Sequence, residues 1–282
     1  MRNFDLHCHS NVSDGVLSPQ ALVLRAAEQG VDVLALTDHD DVDGLAEAAQ
    51  FAQRNGIGFI PGVEISVTWE ASTVHIVGLR IDAGNPVLLQ GLAEIRQGRQ
   101  RRAERIGQEL EKAGIPGALA GAMAHAGNPC LIGRTHFARY LVEKGIVKDM
   151  RSVFKHYMVK GRLGYVQHYW TSLENALSWI RQSGGHAVLA HPGRYDLKTG
   201  KLKRLLAEFK ELGGEAIEVV TGSHTPQHSA RFAVLAEEFS LLASRGSDFH
   251  APGEGGREIG GGPDLPGGVT PIWHNWDLDS LV

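Results

Sequence analysis

Residues 18–40 read SPQALVLRAAEQGVDVLALTDHD, and this stretch carries the signature of the fold. Ser18 and Pro19 open a helix as N-cap and first helical residue. Leu22, Val23, Ala26 and Ala27 form one apolar face, and Gly30 stops it. Residues 31–36 follow at once as a short apolar run, the kind buried on both faces of a parallel sheet. The run ends in Thr37-Asp38-His39-Asp40, where a chain leaving a barrel turns polar side chains toward a pocket mouth. Asp40 and Asp41 read as caps of the next helix.

Working outward, the same alternation recurs. Residues 4–6 start as a strand, 43–55 form an Ala-rich helix ended by Gly56, and 57–63 and 74–79 are strands. Later come helices over 172–182, 201–212 and 226–238, and strands over 186–190, 216–220 and 241–243. Strands interleaved with helices in this way predict an α/β chain. No Gly-rich nucleotide fingerprint follows the first strand, which favours a closed or nearly closed (β/α)7 barrel over an open sheet. Residues 98–164 break the pattern with charged helical sequence and several Gly stops. They read as an inserted helical lid domain, leaving 1–97 and 165–282 to the barrel. In its first helix Arg99, Arg101, Arg102 and Arg105 mingle with Glu104, Glu109 and Glu111, which predicts a solvated helix laced by local ion pairs. Residues 253–268, rich in Gly and Pro, predict a flexible loop.

With 28 basic and 32 acidic residues the chain is no whole-surface nucleic-acid binder, although a local basic pocket for phosphate remains compatible. Cys8 and Cys130 make no disulfide framework, and the sequence offers no signal peptide or membrane span. A cytoplasmic location without a membrane or a stable protein partner is expected. No G-x-S-x-G, Walker loop or H-E-x-x-H is present, which sets those catalytic classes aside.

The chemistry sits at strand ends. His7-Cys8-His9 follows the first strand, and residues two apart on a strand point the same way, so both imidazoles reach one ion. Asp14 follows in a Ser-Asp-Gly turn, and His39 ends the second strand. Glu64 ends the third strand among apolar neighbours, where an unpaired carboxylate is expensive to bury. His75 lies in the apolar run 74–77 and taken alone reads as a hydrogen-bonded core histidine. His191 ends the fifth strand, and Asp248-Phe249-His250 ends the last with the period-two spacing of the opening motif.

As a set, the H-x-H, D-H, G-x-E, later histidines and closing D-x-H resemble the polymerase and histidinol phosphatase (PHP) superfamily across nearly the whole chain outside the insert. The resemblance implies a distorted seven-stranded barrel and two or three divalent metal ions, manganese first, with iron or zinc as alternatives. Carried over by position, His7, His9, Glu64 and Asp248 would hold one ion. Glu64 would bridge to a second completed by His75 and His191, and Asp14, His39 and His250 would hold a third. The insert and His191-Pro192-Gly193-Arg194 resemble the branch that removes the 3′-phosphate of nucleoside 3′,5′-bisphosphates (pAp to AMP) and trims short RNA from its 5′ end. The expected nucleophile is a hydroxide bridging two ions, with His191 and Arg194 as catalytic residues. Arg194, Arg134 and Lys160 are expected to grip phosphate, with His136, Ser223 and His224 as further substrate contacts. Rival readings are another phosphomonoesterase such as a histidinol phosphatase, a non-catalytic module bracing a partner protein, and an amidohydrolase.

Overall fold

The computed structural model describes residues 2–254 and 256–278. Seven strands form one sheet in sequential order: β1 (Phe4–Asp5), β2 (Val33–Leu36), β3 (Gly58–Trp69), β4 (Ser72–Leu79), β5 (His186–Leu189), β6 (Ala216–Val220) and β7 (Leu242–Arg245). The two edges approach each other, with Leu6 N–H donating to Arg245 O at 3.0 Å and Asp248 N–H to His7 O at 2.8 Å. The sheet is thus a nearly closed barrel, and the ends of β1 and β7 lie side by side. Helices α1 (Pro19–Glu28), α2 (Leu45–Arg54), α7 (Leu173–Gln182), α8 (Thr199–Glu211) and α9 (Pro226–Glu238) surround it. The opening helix is capped as its sequence predicts, Ser18 accepting from Ala21 N–H.

One departure shapes the barrel. Pairs β1–β2, β2–β3, β5–β6 and β6–β7 are parallel, whereas β3–β4 and β4–β5 are antiparallel. The third strand runs on past Glu64 to Trp69 and returns as β4 through Glu70 and Ala71, both left-handed with φ 42° and 61°. A two-residue hairpin wants Asn or Gly at such positions, so Glu-Ala gives no turn signal in the sequence. Glu64 therefore stands in mid-strand rather than at a strand end.

The middle of the chain is helical: α3 (Pro86–Lys112), α4 (Ala118–Ala124), α5 (Arg134–Glu143) and α6 (Met150–Val153), the last running into a π-turn over Phe154–Met158. Helix α3 crosses position 98 unbroken, so the sequence-based boundary falls inside a helix. Its first half packs Leu88, Leu92 and Ile95 into the barrel core, and its second half packs Ala103, Ile106 and Leu110 into a separate core with Phe137, Leu141 and Met158. The described part of 253–268 is pinned rather than loose: Arg25 grips Glu258 at 2.6 Å, Ile259 is buried, and Gly260 N–H donates to Asp5 at 2.7 Å. Among the described residues no helix is long and apolar enough to cross a membrane.

Candidate metal centre

The ends of β1, β2, β5 and β7 and the middle of the β3–β4 hairpin deliver nine ligand-type side chains to one pocket. His7, His9, Asp14, His39, Glu64, His75, His191, Asp248 and His250 all belong to overlapping groups of ligand atoms within 4.8 Å of one another. The Nε2 atoms of His7 and His9 each stand 3.4 Å from Glu64 Oε2, and 3.6 and 3.4 Å from Asp248 Oδ1. Glu64 Oε1 meets His75 Nδ1 at 2.9 Å and His191 Nε2 at 2.8 Å, while its Oε2 meets His39 Nδ1 at 2.9 Å. Asp14 Oδ1 lies 3.2 Å from His250 Nε2 and 3.9 Å from His39 Nε2. Glu64 thus sits at the centre, with a carboxylate-bearing group on either side. His191 and Asp248 hold their places with φ of 27° and 54°, local strain of the sort that accumulates at functional sites.

The donor set fits divalent cations. Asp14 Oδ1, Glu64 Oε2, Asp248 Oδ1 and His39 Nδ1 are buried without a well-directed hydrogen bond, a costly condition that a shared cation removes. Burial opposes ionisation of Glu64, yet His39, His75 and His7 hold its carboxyl well below the usual range. Burial likewise opposes ionisation of Asp248, which Arg194 and His9 keep ionised. Burial pushes His9 and His191 down to about 3, which leaves neutral rings with lone pairs to give. His250 goes the other way: against burial, Asp14 lifts it to about 9, and a cation binding there displaces that proton. Mixed N and O ligation without cysteine suits borderline metals. Cys8 turns away into the core, its thiol donating to Ala35 O at 3.2 Å.

Several supports escaped the sequence reading. Glu218 accepts from His7 Nδ1 at 2.7 Å and from His191 N–H, so one buried carboxylate orients two ligands. A lone Glu in the otherwise apolar run Ala216–Val220 was the available signal. Asp38 accepts from Ser10 N–H at 2.8 Å and from the Ser10 and Ser13 hydroxyls, fixing the loop that carries Asp14. Asp40 and Asp41 do not cap α2, whose N-cap is Gly44 without a side-chain bond. Instead Asp40 accepts from Arg99 Nε at 2.6 Å and from Ser66 N–H at 2.7 Å, and Asp41 accepts from Asp43 N–H. Tyr195 accepts from His75 N–H and donates to Ala190 O, tying β4 to the end of β5.

The arginines of α3 correct the expectation of a solvated, ion-paired helix. Arg99 and Arg102 are only 7% and 9% exposed and flank Trp170, their Cζ atoms 4.9 and 5.3 Å from its ring centre. With Arg134 and Arg194 they line the cleft that opens on Asp14, His39, His75 and His250. Burial together with Arg134 and Arg99 lowers Arg102 to about 9. Among the described residues no carboxylate pairs with Arg102 or Arg134, whose nearest acceptors are Val166 O at 3.4 Å and Met158 O at 3.3 Å. Two such cations beside a cluster of metal-ligand side chains have the chemistry to receive an anion.

The remaining candidates fall in different places. Arg194 donates to Asp248 Oδ2 at 2.6 Å, is half exposed and lines the arginine cleft. Lys160 lines the outer part of the arginine cleft, and Ser223 lines a second cavity of about 630 Å³ bordered by Asp248 and His250. His136 and His224 are buried. His136 Nδ1 accepts from Gly133 N–H at 2.9 Å, while His224 donates to Val219 O and accepts from Gly193 N–H at 3.1 Å. His224 thus supports the loop carrying His191 and Arg194.

The profile of the family described as "PHP domain" matches residues 5–221. This chain belongs to the PHP domain family. A "3′,5′-nucleoside bisphosphate phosphatase" of Chromobacterium violaceum is 54% identical over 281 residues, covering 100% of this chain and 99% of the relative. The "5′-3′ exoribonuclease Rnm" of Escherichia coli is 46% identical over 97% of this chain and 94% of the relative. Among solved structures, one from Chromobacterium violaceum, described as an amidohydrolase with bound sulfate and no metal, superposes with TM-score 0.95 at 52% identity, covering 99% of this chain and 96% of that one. A candidate metal-dependent phosphoesterase from Bifidobacterium adolescentis superposes with TM-score 0.82 at 25% identity, covering 99% and 95%. In this PHP domain Arg99 and Arg102 of α3 line the cleft at the edge of the candidate metal centre.

Proposed function

We propose that the chain is a metal-dependent phosphoesterase that removes the 3′-phosphate of nucleoside 3′,5′-bisphosphates, pAp to AMP, and acts on short 5′-phosphorylated RNA in the cytoplasm. The observation that carries this reading is the adjacency of the nine-residue donor cluster to Arg102 and Arg134, which pair with no carboxylate among the described residues. The printed activities of the 54% and 46% identical relatives support the nucleotide class. The unpaired arginines favour a phosphorylated substrate over an amide.

His7, His9, Glu64 and Asp248 would hold one ion, Glu64 with His75 and His191 a second, and Asp14, His39 and His250 a third. Two or three divalent ions, manganese first, would supply Lewis acidity at the phosphoryl oxygens and a water acidified to near neutrality. Arg102 and Arg134 bind the phosphate oxygens turned away from the ligands. Arg194 spans the Asp248 carboxylate and the substrate, so it orients both. The helical segment 98–164 serves as a lid whose arginines move with it.

Phosphate release from pAp by metal-stripped protein tests this directly. Activity returns with Mn²⁺, and Arg102→Met raises KM for pAp roughly 10–100-fold, the worth of a charged hydrogen bond. Preference for histidinol phosphate over pAp in the same assay would sink the nucleotide reading.

A further inference from the structure

The arginine cleft does not end at Trp170. Beyond it lies a groove of about 320 Å³ between α3 and the start of α7. This groove shares His168, Tyr169 and Trp170 with the cleft of about 280 Å³ that holds Arg102, Arg134 and Lys160. That cleft in turn shares Arg102, Arg134 and Arg194 with the pocket over His39, His75 and His250. The three spaces therefore adjoin in a row that starts at the candidate metal centre.

Its lining alternates flat rings and cations. Tyr169 is 68% exposed for a large aromatic, with its hydroxyl accepting from Gln167 Nε2 at 2.8 Å. His168 stands edge to face on Trp170 at 4.3 Å, and burial with Arg102 and Arg99 lowers it to about 4, which leaves a neutral ring. Helix α3 is cut flat beneath His168 and beneath Trp179, which also lines the groove. A Cβ on Gly91 would lie 2.5 Å from Trp179 and one on Gly98 would lie 2.9 Å from His168. Arg101, Arg102, Arg134, Lys160 and Arg194 outnumber Glu94 and Asp196 along the path, although the whole chain carries a net charge of −4. Rings for bases and cations for the linking phosphates are what a single strand of nucleic acid requires, and stacking accepts any base.

We propose that this path binds the nucleotides downstream of a 5′-phosphorylated RNA end, with Tyr169 and His168 as stacking platforms and Arg101 as an outer phosphate contact. The proposal rests on the phosphoesterase reading and extends it: the path selects polynucleotide over mononucleotide. A nucleoside bisphosphate fills only the inner cleft, whereas a strand continues over Tyr169.

Tyr169 and Arg101 are exposed, so Tyr169→Ala and Arg101→Ala leave the core untouched. In Mn²⁺-loaded full-length protein, Tyr169→Ala raises KM for a 5′-phosphorylated RNA pentamer about tenfold, the worth of one stacked base. KM for pAp stays unchanged. Fluorescence anisotropy of the same pentamer, labelled at its 3′ end and mixed with metal-stripped protein, reads binding without turnover. Arg101→Ala reduces the slope of log affinity against log salt by about 0.7 there. Equal effects on pentamer and pAp, or none on pentamer, overturn the path. A wild-type enzyme that hydrolyses neither substrate defeats the phosphoesterase reading instead, and anisotropy still judges the path. Equal affinity for the pentamer in wild type and both variants counts against it.

Discussion

Glu218 and His224 show how single buried side chains hold this site without touching a substrate. Glu218 fixes the ring of His7 and the backbone of His191 together, so two ligands from β1 and β5 share one anchor. His224 uses both ring nitrogens, donating to Val219 O and accepting from Gly193 N–H, and that arrangement requires a neutral ring. Burial lowers it from 6.5 to about 4. The unfolded chain therefore binds a proton from pH 6.5 downward that the folded chain refuses, so this stability is whole above pH 6.5 and is lost as pH falls toward 4. Urea unfolding of metal-stripped protein measures it. Between pH 7 and 5 the wild type loses on the order of 2 kcal/mol more than His224→Gln, whose amide does not titrate. Equal losses would show that the imidazole is already charged in the fold.

At the scale of elements, α3 links two cores. Its N-terminal half belongs to the barrel core and its C-terminal half to the separate helical core. Arg99 lies between them and reaches down to Asp40 and Ser66, one on the loop after β2 and the other on β3. Asp40 is fully buried, so removal of its partner strands a charge. Arg99→Ala is expected to cost about 3–5 kcal/mol in urea unfolding, the range for breaking a buried pair. A loss under about 1 kcal/mol, the worth of a surface pair, would mean that α3 is docked by its apolar face alone. Spacing along the helix could have suggested this role: Ile95, Arg99, Arg102, Ala103 and Ile106 share one face, and all are buried.

Across the whole molecule, the donor cluster joins residues from 7 to 250, so ions held there would close the barrel a second time. Folding creates a site that the unfolded chain lacks, so bound metal adds to stability by mass action, about 2.7 kcal/mol at a hundredfold excess over Kd. For a domain of this size that corresponds to a melting temperature roughly 5–10 °C lower after chelation and dialysis. Circular dichroism melts with and without added Mn²⁺ check it. Coincident melts would mean that the cluster does not hold metal in the folded state.

The sequence by itself determined the α/β alternation, the nearly closed barrel and the nine side chains that meet at its mouth. Much of this is written within a few neighbouring residues, in caps such as Ser18-Pro19, apolar runs such as 31–36 and the H-x-H and D-x-H pairs, whereas His75 was legible only through the resemblance of the whole set. Tertiary structure alone decided that β4 runs antiparallel, since the left-handed Glu70-Ala71 turn is imposed by pairing that spans the hairpin. It alone turned Arg99 and Arg102 inward, made Glu218 a shared anchor and buried His136 and His224. Burial and partnership belong to surfaces brought together from distant parts of the chain, and no local pattern of residues encodes which surfaces those are.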